Sequence, residues 1–503
     1  MAKAVTKTKT ETKTKIKEAT AIEAPDVPQS SRIAVSAFFS KKIEDVENKT
    51  HLVSNVSKYC DPLSTGFLVT DWLYSGGIYN VMASVAGPEG SSKSTQLEAT
   101  IGSGVSGQLI FASHIDAEGT INDDYAQRKF AMFGLDYYKL QRGEDGERRY
   151  RYYKENVIEP IFDYMHNLLK TLPQKVWIPK LNSWAYVFDK RDAEEAKLMS
   201  IYGVKPDKTL SRNDKFICPT DYSGIEAGFF LDSFAAMVTS DDDEGDKKGR
   251  RRAAEAAAFS DQLKRISARL SNRGCLMFGV NQVRESPNAS GPSRGPSYYE
   301  PGGNALKFFT AQRSQVFSTN SGFPTFMSAK YEKDFGGFAE KSVLDDNAFD
   351  LYDYKRIKNT KNKPGNPNKV GYLRVWKADH NGEGHGYDPV FDTFYYLLVT
   401  KQLKREGRKL VFRLRKSIGK NRAAVLNDLP PFEDKAFKLL ILSEVFSDKE
   451  TIKKALAAMG LSKPVALRKS LFEQIKSDKK VVALGTSKSK SEDDEDFEST
   501  TEY

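Results

Sequence analysis

Residues Gly87, Pro88, Glu89, Gly90, Ser91, Ser92, Lys93, Ser94 and Thr95 make a glycine-rich turn ending in Lys-Ser, set between the apolar segment Val81–Ala86 and a segment able to start a helix. A strand, a tight turn and a helix must then follow one another directly. At such a junction backbone N–H groups point at a polyphosphate, the Lys93 ammonium neutralises its outer charge, and the Ser94 hydroxyl can reach Mg²⁺. A nucleoside triphosphate is the expected ligand. The usual pattern places Gly immediately before the Lys, where this chain has Ser92, and a Gly/Ser-rich surface turn is the competing reading.

A chain of 503 residues exceeds one ordinary core, which predicts a large domain with smaller appendages. The three cysteines, Cys60, Cys218 and Cys275, lie far apart and give neither a disulfide framework nor a Cys-x-x-Cys metal knuckle. A reducing, intracellular setting is expected. No apolar run approaches membrane-spanning length, and Met1–Lys7 lack the apolar core of a secretion signal, so a soluble protein with no membrane partner is expected. Net charge is +10, yet Ser491–Tyr503 hold seven acids and no base, which leaves +17 on residues 1–490. A basic body with an acidic tail suits a polyanion partner and a built-in competitor for it; a solvated tail without a role is the alternative.

Along the chain, residues 1–30 are Lys/Thr-rich and of low complexity, which predicts a disordered basic arm. Residues 31–60 would hold an N-terminal helix, about Ile33–Val56, and a linker. From 61 to 424 a core is expected. Val81–Ala86, Gln108–Ile115, Gly228–Leu231 and Cys275–Val280 are short apolar runs with little polar alternation, as in strands buried on both faces of a mostly parallel sheet. An α/β fold follows. Asp116, Glu118, Asp232 and Gln282 fall at the carboxyl ends of these runs, where an open α/β sheet places its ligand crevice. Residues 254–272 carry Phe259, Leu263, Ile266 and Leu270 at helical spacing, and residues 284–303 are a long Gly/Pro/Ser-rich loop. Residues 425–482 turn helical again, predicting a small separate C-terminal domain before an acidic tail over 483–503.

These stretches resemble the RecA-type recombinases, and within them the phage members. The matching residues are Leu63–Phe67, Gly87–Thr95, Ile115–Glu118, Phe229–Ser233, Asn281–Arg284 and Gly302–Phe308, in the family's order over about residues 60–320. Two features depart from the family. Ser92 replaces a Gly, an irregularity that phage members share and that bears on the ATPase rate. The stretch from Glu118 to Asp232 is also longer, implying an insertion at about 141–222 with Trp177-Ile178-Pro179 and Trp184-Ala185-Tyr186 inside it.

The resemblance implies a RecA-like P-loop ATPase core using ATP and Mg²⁺. Lys93 would neutralise the transferring phosphoryl group, Ser94 and Asp232 would hold the metal, and Glu118 would orient the attacking water. Tyr125 matches the ring stacked on the nucleotide base, or is a core aromatic on a helix face. Gln282 would read the γ-phosphate and move the following loop. Lys247–Arg252, with Lys248, Arg250, Arg251 and Arg252, and the loop Arg284–Gly303, with Arg294, Gly302 and Gly303, correspond to the family's two DNA loops. Asn304, Ser260 and Lys264 match phosphate-contacting positions. A solvated charged face is the alternative, and nothing offers base-edge readout. Lys361 and Lys363 resemble a lysine pair that reaches the neighbouring subunit's triphosphate, unless they form an exposed basic turn; Lys307 and Phe308 would lie at that subunit boundary.

The expected function is ATP-dependent homologous pairing and strand exchange between single-stranded DNA and a homologous duplex, in a self-assembled helical filament. A bacterial or phage-infected cytoplasm is the expected location. A ring helicase on the same core, or a filament-forming DNA-binding protein with little ATPase activity, are the rivals.

Overall fold

The computed structural model describes residues 58–107, 109–144, 149–211, 214–240, 251–285, 298–300, 303–319, 352–376, 386–412, 429, 431, 433–446, 449–462 and 465–484. The expected arm, the helix Ile33–Val56 and the acidic residues Ser491–Tyr503 lie outside them.

The strands in chain order are β1 Met82–Gly87, β2 Phe111–Asp116, β3 Tyr150–Lys154, β4 Gln174–Ile178, β5 Ser183–Asp189, β6 Lys215–Thr220, β7 Ala227–Asp232, β8 Leu276–Gln282, β9 Arg284–Glu285, β10 Tyr298–Tyr299, β11 Gln312–Ser318, β12 Tyr352–Asn362, β13 Val370–Trp376, β14 Leu403–Glu406 and β15 Lys409–Phe412. The helices are α1 Leu68–Leu73, α2 Lys93–Ser106, α3 Asp123–Ala131, α4 Tyr137–Arg142, α5 Ile158–Thr171, α6 Ala193–Ile201, α7 Arg251–Asn272, α8 Gly303–Phe309, α9 Pro389–Val399, α10 Asp434–Phe446, α11 Lys449–Met459 and α12 Leu467–Leu484. The main sheet runs β13-β12-β11-β1-β8-β7-β2-β3. Neighbours from β11 to β3 pair in parallel, whereas β12 and β13 are antiparallel additions at one edge.

Alternation along the buried strands separates two cores. Ala83, Val85, Phe230, Leu276, Phe278 and Val280 face one cluster, joined by Leu97, Ile101 and Val105 of α2. Met82, Phe229, Leu231 and Met277 face the other, covered by Ile158, Ile161 and Phe162 of α5 and by Phe259, Leu263, Ile266 and Leu270 of α7. Every residue of β1 is buried. The continuous apolar runs are therefore explained by a helix layer on each face, each large side chain contributing about 1.5–3 kcal/mol on burial.

Residues 141–222, the expected insertion, divide into two parts. Their β3 extends the main sheet beside β2, and α5 covers a face, while β4, β5 and β6 form a separate antiparallel sheet. Trp177 and Trp184 are a cross-strand pair in edge-to-face contact, with centroids 5.7 Å apart. Buried Lys175 of β4 anchors this small sheet by donating to Glu226 Oε1 at 2.6 Å and Gly224 O at 2.8 Å, just ahead of β7.

The C-terminal helices are joined to the core. Phe437, Leu440, Ile441, Leu467 and Leu471 belong to the same cluster as α2 and α9. At the junction Arg468 of α12 donates to Asp392 Oδ2 at 3.0 Å, Pro389 O at 2.8 Å, Thr393 Oγ1 at 2.5 Å and Gly66 O at 3.2 Å. Asp392 also accepts the backbone N–H groups of Leu68 and Val69, so one carboxylate caps α1 and binds α12.

Candidate functional site

β1 ends at Gly87 and α2 begins at Lys93, with the expected loop between them. A side chain at Gly87 would lie 2.3 Å from Val316 O, so only glycine lets the turn leave the sheet here. Gly90 has φ +69°, and Ser92, at the position where the pattern has glycine, has φ 66° and ψ 32°. The serine is thus held in the left-handed conformation that glycine takes without penalty. Three alternate carbonyls of the loop are held by side chains. Lys93 Nζ donates to Pro88 O at 2.7 Å, Lys355 Nζ to Gly90 O at 3.0 Å, and Tyr387 Oη to Ser92 O at 3.0 Å. Because each peptide is trans, the N–H groups of Glu89 and Lys93 point away from those carbonyls, while that of Ser91 turns back to donate to Pro88 O at 3.4 Å. Burial pulls the Lys93 ammonium below the ordinary lysine range, opposed by the charges of Asp232, Glu118 and Glu89.

Asp116, Asp232 and Gln282 close adjacent strands, with Asp116 in register with Asp232, and Glu118 follows two residues after β2. Asp232 accepts from the Ser94 hydroxyl; burial pushes its carboxyl up to about 6, with Ser94 and Lys93 pulling down and Glu118 and Asp116 pushing up. Glu118 Oε1 accepts from Ser233 Oγ at 2.5 Å and from Gln282 Nε2 at 3.3 Å. Its backbone N–H donates to Asp232 O and Asp116 Oδ1. Four of the sequence-selected residues, Lys93, Ser94, Glu118 and Gln282, are thereby gathered with Asp232 at one end of the sheet. Their oxygen donors suit a hard divalent cation. Among the described residues no group of three or more His, Cys, Asp or Glu side chains is gathered to hold a metal alone.

Tyr125 lies in the first turn of α3, whose Asn122 cap accepts from its N–H. Lys129 Nζ sits 3.7 Å from the centre of the Tyr125 ring and is paired with Glu98 of α2. Lys361, near the end of β12, donates to Lys307 O and Phe308 O at 2.8 and 3.2 Å, capping α8. Burial pulls its ammonium below the ordinary lysine range, and the charges of Lys363 and Arg313 add to that. Phe308 is 73% exposed, an unusual state for a phenylalanine, and Lys307 and Lys363 are exposed beside it.

β8 passes into Arg284, which is exposed and pairs with Tyr299 in the β9–β10 ribbon. Beyond the ribbon, buried Glu300 accepts from Arg313 of β11 at 2.6 Å. Ser260 and Lys264 lie one turn apart on α7, half-buried and exposed respectively. Lys248, Arg250, Arg294 and Gly302 lie outside the described residues. Of Arg251, Arg252, Gly303 and Asn304 only the backbone, in α7 and α8, is described.

Sequence reasoning missed Lys355, Tyr387, Ser233 and Glu300. Ser233 follows Asp232 and was readable by adjacency alone. Lys355 and Tyr387 come from strands and turns more than 250 residues after the loop, and no local pattern marks them.

Residues 222–323 match the RecA N-terminal domain family. That stretch includes Asp232, α7, Gln282 and α8 but not the phosphate loop. The mitochondrial DNA repair protein recA homolog 3 of Arabidopsis thaliana is 32% identical over 126 residues, which cover 21% of this chain and 29% of that protein's length. A solved structure of the RadB recombinase matches with a TM-score of 0.35 at 14% identity, over 62% of this chain and 96% of the other. The family match and the sequence relative support the RecA-type family.

Proposed function

We propose that this chain is an ATP-dependent homologous-recombination protein that assembles as a helical filament on single-stranded DNA and catalyses pairing and strand exchange with a homologous duplex. The observation that carries the reading is the contact between Gln282 and Glu118. Gln282 ends β8, the strand that leads into the loop at Arg284, and Glu118 sits beside Ser233, Asp232 and the Ser94 hydroxyl. One amide thus lies between the residue suited to orient water and the segment suited to meet DNA.

In this reading the loop N–H groups and Lys93 hold the phosphates of ATP, and Tyr125 faces the base. Ser94 and Asp232 would hold Mg²⁺, which when bound would neutralise phosphoryl charge. Glu118, fixed by Ser233, orients the attacking water. Gln282 exchanges its bond to Glu118 for one to the terminal phosphate and shifts the loop beyond β8. The surface with Lys307, Phe308, Lys361 and Lys363 meets the neighbouring subunit, and the phage-like character of the phosphate loop belongs to the same reading.

The test is DNA-stimulated phosphate release together with negative-stain microscopy on single-stranded DNA and a non-hydrolysable ATP analogue. Helical filaments and stimulated hydrolysis are expected; closed rings would favour the helicase. Glu118→Gln is expected to keep nucleotide binding and to lower hydrolysis by about 10²-fold or more, giving filaments that persist. Hydrolysis at the wild-type rate would remove Glu118 from the water-orienting role.

A further inference from the structure

We propose that Lys355 is a second cation of the polyphosphate site, supplied by the same chain from the antiparallel strand β12, and that it favours the more highly charged nucleotide. The inference rests on the nucleotide reading above.

Lys355 stands opposite Ser318, the last residue of β11, so β12 brings it to the edge where β1 ends in the loop. It is 2% exposed. Its ammonium donates to Gly90 O at 3.0 Å and to Ser318 Oγ at 2.8 Å, both neutral oxygens. The remaining partner is Asp353 Oδ2 at 3.3 Å, on a side chain that is 47% exposed. A buried ammonium is costly, and a half-exposed carboxylate at that range offsets only part of its charge. Lys355 also lies close enough to Lys93 for the two charges to repel. Two ammonium groups on one loop are unfavourable for an uncharged ligand and favourable for a polyanion.

A simple tether for the loop would need only a hydrogen-bond donor. A cation in that place acts on the ligand's charge as well, so its contribution grows from diphosphate to triphosphate. It acts through the Gly90 peptide and through space, which makes it a positioning residue.

Binding of ATP, ADP and pyrophosphate is measured by titration calorimetry on the full chain, for wild type and for Lys355→Gln, Lys355→Arg and Asp353→Asn. Lys355→Gln keeps a donor and loses the charge; it should weaken ATP by about tenfold and ADP by less. Lys355→Arg should bind as wild type does. Asp353→Asn, at a half-exposed position, should tighten ATP more than ADP, a change opposite in sign that survives if the glutamine variant fails to fold. Wild-type selectivity in Lys355→Gln, or an Asp353→Asn variant that leaves ATP unchanged or weakens it, overturns the inference alone. A wild-type chain that binds none of the three ligands overturns the nucleotide reading and this inference with it.

Discussion

Ser92 occupies a backbone conformation that costs a residue with a Cβ about 1–2 kcal/mol, and glycine none. Glycine would also give the unfolded chain more freedom, which takes back about 0.5–1 kcal/mol. The first effect is the larger, so Ser92→Gly should raise the melting temperature slightly. An unchanged or lower midpoint in thermal unfolding would mean that the serine's own contacts compensate the strain. Asp71 gives a second residue-scale prediction, in pH. It is buried and accepts from Ser64 Oγ, Thr65 N and Thr65 Oγ1, yet burial outweighs these bonds and pushes its carboxyl up to about 7. Between about pH 4, where the unfolded carboxyl ionises, and pH 7 the folded chain holds one proton more than the unfolded chain. Stability therefore falls as pH rises through that window. Asp71→Asn should flatten the slope, read as denaturation midpoints at pH 4.5 and 7; a slope equal to wild type would assign it to other groups.

The polar tie between α12, α9 and α1 is the Arg468–Asp392 ion pair with its hydrogen bonds, set beside their shared apolar cluster. Arg468→Ala would leave the Asp392 carboxylate buried without its cation, and breaking a buried pair in this way costs about 3–5 kcal/mol. Urea unfolding should show the loss, and a change below about 1 kcal/mol would mean that water replaces the guanidinium. This tie also marks where sequence stops being informative. The helices themselves were legible: Phe437, Leu440 and Ile441 recur at helical spacing and are all buried. Their docking was not, because a stripe on α10 looks the same whether it closes its own small core or joins a larger one. The same limit divides the site. Lys93 and Ser94 were readable from the glycine-rich turn that ends in Lys-Ser, and Asp232 and Gln282 because each closes a short apolar run at the edge where such a sheet places its crevice. Lys355 was not, since its role depends on β12 running antiparallel, and a lysine in a polar strand carries no local sign of direction. Within residues 141–222 the sequence offered only extra length around Trp177 and Trp184; neither their small antiparallel sheet nor the joining of β3 to the main sheet was legible, because both depend on pairing between distant segments.

For the molecule as a whole, charge is divided between a basic body and the seven acids of Ser491–Tyr503. Deleting those residues should strengthen duplex DNA binding most at low salt, where the screening length reaches about 30 Å at 0.01 M. Equal affinities for the deleted and full chains at low salt would reduce the tail to a solubilising role. The order of the main sheet has a consequence for how the protein is made. β1 emerges early, but its two partners are β8 and β11, and the side chains that hold its loop are Lys355 and Tyr387. At roughly 5–20 residues per second, the ~300 residues between Ser92 and Tyr387 occupy a ribosome for about 15 s to 1 min. Until β8 has been made β1 is an apolar strand with both edges unpaired, and one edge stays open until β11 follows, the kind of segment that chaperones shield. Nascent chains can complete the contacts of this loop only late in translation, and messages cut short before Tyr387 would yield products that carry the loop's sequence without all the side chains that hold it.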